Sequence, residues 1–259
     1  MKIPIYQIDA FTNEQFKGNS AAVCPLNYWI EDALMQKVAA ENNLSETAFF
    51  VIKDNGYELR WFTPKGEIDL CGHATLASAY VISTYLDNNL KNIKFTTKSG
   101  LIEVSKEGSL FTLAFPSREG EKCDIPEALI KGLGKVPKEV YKSRDYMAVF
   151  DTEQDVLELK LNMEELKKLD GFGVIATAKG EEVDFISRFF APNAGVDEDP
   201  VTGSAHCTLI PYWKNKLNKS ELIAMQLSER GGKLYCTDLG ETVKMSGEAV
   251  AYLEGFINI

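Results

Sequence analysis

The feature that most restricts how this 259-residue chain can fold is a unit that occurs twice. Arg60-Trp61-Phe62-Thr63-Pro64 in the first half has a counterpart in Arg188-Phe189-Phe190-Ala191-Pro192 in the second. An acidic loop follows each, and then a glycine opens an uncharged segment, Gly72-His73-Ala74-Thr75-Leu76 or Gly203-Ser204-Ala205-His206-Cys207. Beyond each segment comes a glycine-led strand pattern, Ser99-Gly100-Leu101-Ile102-Glu103-Val104 and Arg230-Gly231-Gly232-Lys233-Leu234-Tyr235. Three landmarks in the same order point to duplication, since self-similarity at this scale marks repeated structural units. Two alike units with pseudo-twofold packing are expected, each a cage of strands around one helix.

The enclosed helix is clearest in the first unit. No residue from Leu70 to Leu86 carries a formal charge, and apolar side chains recur on every helical face (Ala74, Leu76, Ala77, Ala79, Tyr80, Val81, Ile82). A helix apolar all round is buried all round. Its hydroxyls and the Gly72-His73 start do not suit a membrane span, which takes about 20 mostly apolar residues. The N-terminus of such a helix offers unpaired N–H groups and a partial positive charge, a setting for a carboxylate or phosphate. In the second unit Pro211 is expected to end or kink the helix after about two turns, because proline removes a helical donor.

The rest of the chain alternates like strands over 3–11, 21–24, 44–52, 57–62, 93–97, 101–105 and 110–115. An amphipathic helix is predicted from Ile30 to Glu41, stopped at Asn42-Asn43. The charged stretch Ser117 to Lys122 reads as a linker. A net charge of -10 argues against nucleic acid or an anionic membrane as partner, but not against a small anion at a helix start. The five cysteines are odd in number and lack C-x-x-C spacing, and there are two histidines, so neither a disulfide framework nor a metal site is expected. The first residues have no signal-peptide pattern, and a cytoplasmic location is expected.

Several residues near the two helix starts could carry chemistry. Glu46 stands in a polar stretch (Asn42, Asn43, Ser45, Thr47) just before an apolar strand. Asp199 lies in the acidic run before Gly203, and His73 and Ser204 hold equivalent places after the two glycines. Paired carboxylates beside an anion-binding site suit proton transfer at carbon, with the helix termini stabilising the charge that develops. Each also has a plain structural reading: Glu46 as a surface residue, Asp199 as a turn or cap residue, His73 as a supporting hydrogen-bonder. Cys71 could be a reactive thiol, but Thr202 stands at the matching place in the second unit, which favours a buried structural role.

These motifs resemble the PhzF family of phenazine-biosynthesis-like isomerases, relatives of diaminopimelate epimerase. The matching pieces run from Asp9-Ala10-Phe11-Thr12 and Gly18-Asn19-Ser20 through Leu44-Ser45-Glu46-Thr47-Ala48-Phe49 and Asp69-Leu70-Cys71-Gly72-His73-Ala74 to Asp199-Pro200-Val201-Thr202-Gly203-Ser204. The resemblance implies an α+β fold of two pseudo-symmetric domains, each a strongly curved, mostly antiparallel sheet or barrel wrapped around a central helix. It places the domains at 1–116 plus 250–259 and at 117–249, with the active site in the cleft between them. It implies Glu46 as general acid/base, His73 and Asp199 as its assistants, and Gly72, Gly203 and Ser204 as the carboxylate holders. Asn19 and Ser45, in matching motifs, join the substrate-binding set. No cofactor is implied, and a homodimer is expected.

The function expected is cofactor-independent isomerisation of a small carboxylate-bearing substrate. Two other readings stand beside it: a two-base racemase or epimerase of an amino acid using Glu46 and Asp199, and a non-catalytic small-carboxylate binding protein.

Overall fold

In the computed structural model, which describes residues 1–259, the chain divides into two units, Met1–Ala114 with Ser246–Ile259, and Phe115–Met245. The first begins with an antiparallel pair, β1 (Lys2–Ala10) and β2 (Asn19–Leu26). The turn between them requires glycine at its end. Gly18 has φ +65°, and an added Cβ would lie 2.2 Å from the Ala10 carbonyl oxygen. Gly18→Ala is therefore expected to destabilise the protein by more than about 1 kcal/mol, read as a lowered urea midpoint.

Helix α1 (Asp32–Asn42) then carries the chain to β3 (Glu46–Lys53), which pairs parallel to β2. It ends where the paired asparagines predict, with Asn43 in the left-handed region and its N–H on the Ala39 carbonyl at 3.1 Å. Strand β4 (Gly56–Phe62) returns antiparallel to β3 and carries the short β5 (Glu67–Ile68). Helix α2 (Gly72–Val81) makes the second crossover, to β6 (Asn92–Thr97), parallel to β4. A parallel partner needs such a crossover, because a tight turn can only reverse the chain. Strands β7 (Gly100–Glu107) and β8 (Leu110–Pro116) complete an antiparallel meander.

The uncharged segment is the enclosed helix its composition predicts. All of α2 is buried except Gly72 and Tyr80, and it packs on β1, β2 and β3. Its two buried hydroxyl side chains, Thr75 and Ser78, bond back along the helix: Thr75 Oγ1 donates to the Cys71 carbonyl at 2.5 Å, and Ser78 Oγ to the Ala74 carbonyl at 2.7 Å. On α1, Met35, Val38 and Ala39 pack with Cys24, Phe49, Val51 and Phe62 in a separate apolar cluster.

The second unit repeats this topology. It contains β9 (Glu121–Cys123), α3 (Glu127–Leu133), β10 (Glu139–Lys142), β11 (Tyr146–Val149), α4 (Glu153–Leu157), α5 (Met163–Leu166), β12 (Val174–Lys179) and β13 (Phe185–Phe190). After these come α6 (Gly203–Leu217), β14 (Glu221–Gln226), β15 (Gly232–Asp238) and β16 (Thr242–Gly247). From β10 to β15 the pairings run antiparallel, parallel, antiparallel, parallel, antiparallel, the order found from β1 to β7 with α6 in the place of α2. Strand β17 (Ala249–Asn258) pairs with β1 and belongs to the first unit. The sheets are thus mixed, with strand-dominated units and few helices.

A side-chain device recurs along with the topology. Arg60 grips Glu67 through Nε and Nη2 at 2.7 and 2.9 Å, and Arg188 grips Glu198 through the same atoms at 2.8 Å each. Each guanidinium lies over the phenylalanine two residues on, Phe62 at 5.2 Å and Phe190 at 5.1 Å. Such a fork ties the strand to the loop that approaches the helix start, and bidentate geometry makes the tie directional.

Two expectations are corrected. Pro211 does not shorten its helix, which continues through Leu217. Proline leaves the Cys207 carbonyl without its helical donor, and the backbone N–H of Arg118 takes that carbonyl at 2.9 Å. The stretch Ser117 to Lys122 is accordingly no free linker. Ser117 N–H bonds the Glu241 carbonyl at 2.8 Å, and β9 begins at Glu121.

Candidate active site

In the first unit the candidate residues gather where β3 and α2 both begin. Glu46 opens β3 opposite Ala21 of β2, and α2 packs across those two strands. A Thr63–Gly66 turn, closed by Thr63 Oγ1 on the N–H groups of Lys65 and Gly66 at 3.1 Å, delivers the chain to β5 and then to the helix start. Cys71 is the N-cap, in extended conformation, and no side chain caps α2. His73, the second residue of the helix, places Nε2 2.9 Å from Oε2 of Glu46. The two atoms are close but poorly aligned, and neither has another hydrogen-bond partner although both are buried. Catalytic pairs often take this form before a substrate completes them.

The other ring nitrogen, Nδ1, lies 3.5 Å from the Cys71 sulfur. Burial, reinforced by the Glu46 charge, pushes the Cys71 thiol up to about 11, so it is protonated at neutral pH. Burial by itself would lower His73, but the attraction of Cys71, where that thiol ionises, and of the Glu46 carboxylate outweighs it and raises the imidazole well above its ordinary value. His73 is thereby biased toward the cationic form that a carboxylate partner favours. Donor atoms of Glu46, Cys71 and His73 lie within 4.8 Å of one another. Within this cluster Nε2 faces the Glu46 carboxylate and Nδ1 faces the Cys71 sulfur. Asn19 is fully buried at the start of β2, and Ser45 is exposed beside Glu46.

In the second unit the equivalent helix start is built from one turn. Thr202 is the N-cap of α6, and Gly203 and Ser204 are its first two residues. Thr202 Oγ1 donates to Asp199 Oδ2 at 2.5 Å. The fully buried Gln226 pins this loop by accepting from Thr202 N–H at 2.9 Å and donating to the Asp199 carbonyl at 2.7 Å. An added Cβ at Gly203 would meet only Met245 Sδ, at an ordinary 3.8 Å, so the backbone there is open. His206, also fully buried, donates from Nδ1 to the Thr202 carbonyl at 2.8 Å, and burial pulls its pKa down to about 4. It is a neutral structural histidine.

Of the residues singled out by sequence, Glu46, His73, Cys71 and Gly72 come together in the first unit, and Asp199, Gly203 and Ser204 in the second. Gln226 and the pair Arg144–Asp145 were missed. Nη2 of Arg144 donates to Ser204 Oγ at 2.9 Å, and Asp145 is fully buried. One signal was available: an acidic residue directly before the wholly apolar strand Tyr146 to Phe150, as Glu46 stands before its own.

Comparison with known proteins bears on this arrangement. The family model for phenazine biosynthesis-like protein, PhzC-PhzF, matches residues 8–255. The chain belongs to the PhzF family. Within it, the chain is 47% identical to an uncharacterized isomerase of Pseudomonas aeruginosa, over the whole of both chains. It is 45% identical to a PhzF-family crystal structure from Enterococcus faecalis, again over both whole chains, with a TM-score of 0.98. A hydroxyproline epimerase from Agrobacterium vitis shares the fold alone, at 9% identity and a TM-score of 0.63 over 99% of this chain and 91% of that one. The PhzF fold thus extends to epimerase-like relatives, and the isomerase name is carried by a close PhzF relative.

Proposed function

We propose that this PhzF protein is a cofactor-independent isomerase in which Glu46 moves a proton on a small carboxylate-bearing substrate. The carrying observation is the Glu46–His73 pair at the α2 start: a carboxylate oxygen 2.9 Å from an imidazole nitrogen, both atoms buried and neither with an aligned partner. A carboxylate in such a setting is suited to take a carbon-bound proton and return it elsewhere on the same face. His73, biased toward its cation, offsets the charge that develops on the substrate. Asp199 assists as a second polar group. Backbone N–H groups at Gly72 and at Gly203-Ser204, with Asn19 and Ser45, hold the substrate carboxylate.

The test is a screen of small carboxylic and amino acids in deuterium oxide. Incorporation of solvent deuterium at carbon, catalysed by the wild-type protein, supports the reading. Binding without exchange for every acid that binds would leave the protein a carboxylate-binding module. Configuration separates the remaining alternative: inversion at the exchanging carbon would indicate two bases, Glu46 and Asp199, on opposite faces.

A thiol mechanism makes a different prediction. The Cys71 thiol stays protonated at neutral pH, and Thr202 occupies the corresponding N-cap in the second unit. Cys71→Ser is therefore expected to keep its exchange rate within about tenfold of wild type, whereas loss of an essential nucleophile or base costs far more. Exchange assays on the purified variant decide this.

A further inference from the structure

The second unit holds two guanidinium groups whose hydrogen-bonding capacity is only partly used. Arg144 stands just before β11 and is tightly oriented. Its Nε and Nη2 grip the buried Asp145 carboxylate at 3.1 and 2.8 Å, and its guanidinium lies 4.4 Å from the centre of the Phe172 ring. Nη2 also reaches Ser204 Oγ, while the Nη1 hydrogens have no protein partner and the side chain is 33% exposed. Because the Ser204 oxygen accepts from Arg144, its own hydrogen is left to donate to a ligand.

Arg118 is anchored against the same helix by its backbone bond to Cys207, and its Nη1 is buried with no hydrogen-bond partner. Both guanidinium charges act on Cys207, which lies about one turn beyond Ser204. One buried carboxylate, Asp145, is thus set against two arginines, in a chain whose net charge is -10. The neighbouring Glu119 turns toward the far end of α6, where it meets Asn215 Nδ2 at 3.4 Å. Burying a charged donor without a partner is costly, and a bound anion removes that cost.

We propose that Arg118 and Arg144 form an anion subsite beside the first two turns of α6. The acid held at Gly203 and Ser204 then carries a second anionic group about one helical turn, ~5 Å, from the first. This selects a short dicarboxylic acid or an acidic amino acid over a monocarboxylic acid. The proposal rests on the reading of Gly203 and Ser204 as carboxylate holders and narrows the substrate class.

The test is titration of the full-length protein with succinate and with butyrate through the millimolar range, followed by calorimetry and by the Gly203 and Ser204 amide resonances. Wild type is expected to bind succinate at least about tenfold more tightly than butyrate, a difference of about 1.4 kcal/mol. Arg118→Gln should erase most of that preference while leaving butyrate affinity in place, and Arg144→Gln, which also releases the Ser204 hydroxyl, should weaken succinate binding by a larger factor than butyrate binding. Arg118→Lys and Arg144→Lys, which keep the charge, should retain part of the preference and guard against misfolding. Equal affinity of wild type for the two acids, no succinate binding, or parallel weakening of both acids in the glutamine variants would overturn the subsite. A failed Glu46 assignment would appear in the exchange assay alone and leave this contrast in binding intact.

Discussion

Glu46→Gln is expected to slow solvent-deuterium incorporation by a factor of about 10² to 10⁴, the usual contribution of a positioned general acid–base group. Glutamine keeps the size of the side chain at the start of β3 but cannot accept the substrate proton. Ligand affinity should remain near the wild-type value, because the groups proposed to hold the carboxylate, at Gly72, Gly203 and Ser204, are backbone and hydroxyl donors that the substitution leaves in place. The variant also removes the anion facing Nε2 of His73, a group that raises that imidazole. The His73 pKa should therefore fall, and NMR titration can follow it because the chain has two histidines. Exchange retained at the wild-type rate would exclude Glu46 as the base. Exchange lost together with binding would show a structural role instead.

Acidification should destabilise the fold through the other histidine. His206 is fully buried with its pKa pulled from 6.5 to about 4. Above the unfolded-state pKa both states hold it neutral, and it makes no pH-dependent contribution. As pH falls from about 6.5 toward about 4, the unfolded chain binds a proton that the folded chain resists. Stability then drops progressively, by up to about 3 kcal/mol from this one group, and levels off once the folded state protonates too. Carboxylates titrate in part of the same window, so the informative quantity is the difference between wild type and His206→Gln. The difference in urea midpoint should vary with pH only between about 6.5 and 4, with wild type losing more on acidification. A difference constant across that window would refute the assignment.

The feature easiest to read in the sequence was burial. An uncharged run from Leu70 to Leu86 forms a helix buried on nearly all sides, because side-chain periodicity and the absence of charge are local properties that survive in any tertiary setting. Repeated glycine-led starts likewise marked α2 and α6, and the paired asparagines marked the end of α1. Pro211 was misread because its effect depends on a distant group. The unpaired Cys207 carbonyl would weaken an isolated helix, but Arg118 supplies the donor from a segment that looked like a linker. The same limit hid Arg144, whose partner Ser204 is 60 residues away, and Gln226, which pins a loop 24 residues before it.

By itself, then, the sequence determined two strand-rich units of one pattern, each with an apolar helix that starts at a glycine, and it marked Glu46 and His73 as titratable groups near such a start. Tertiary structure decided that these two side chains meet. The parallel register of β3 against β2 sets Glu46 opposite Ala21, and the packing of α2 on both strands brings His73 within 2.9 Å of it. Contacts of this kind depend on register and crossover between elements far apart in the chain. Local periodicity carries no record of either.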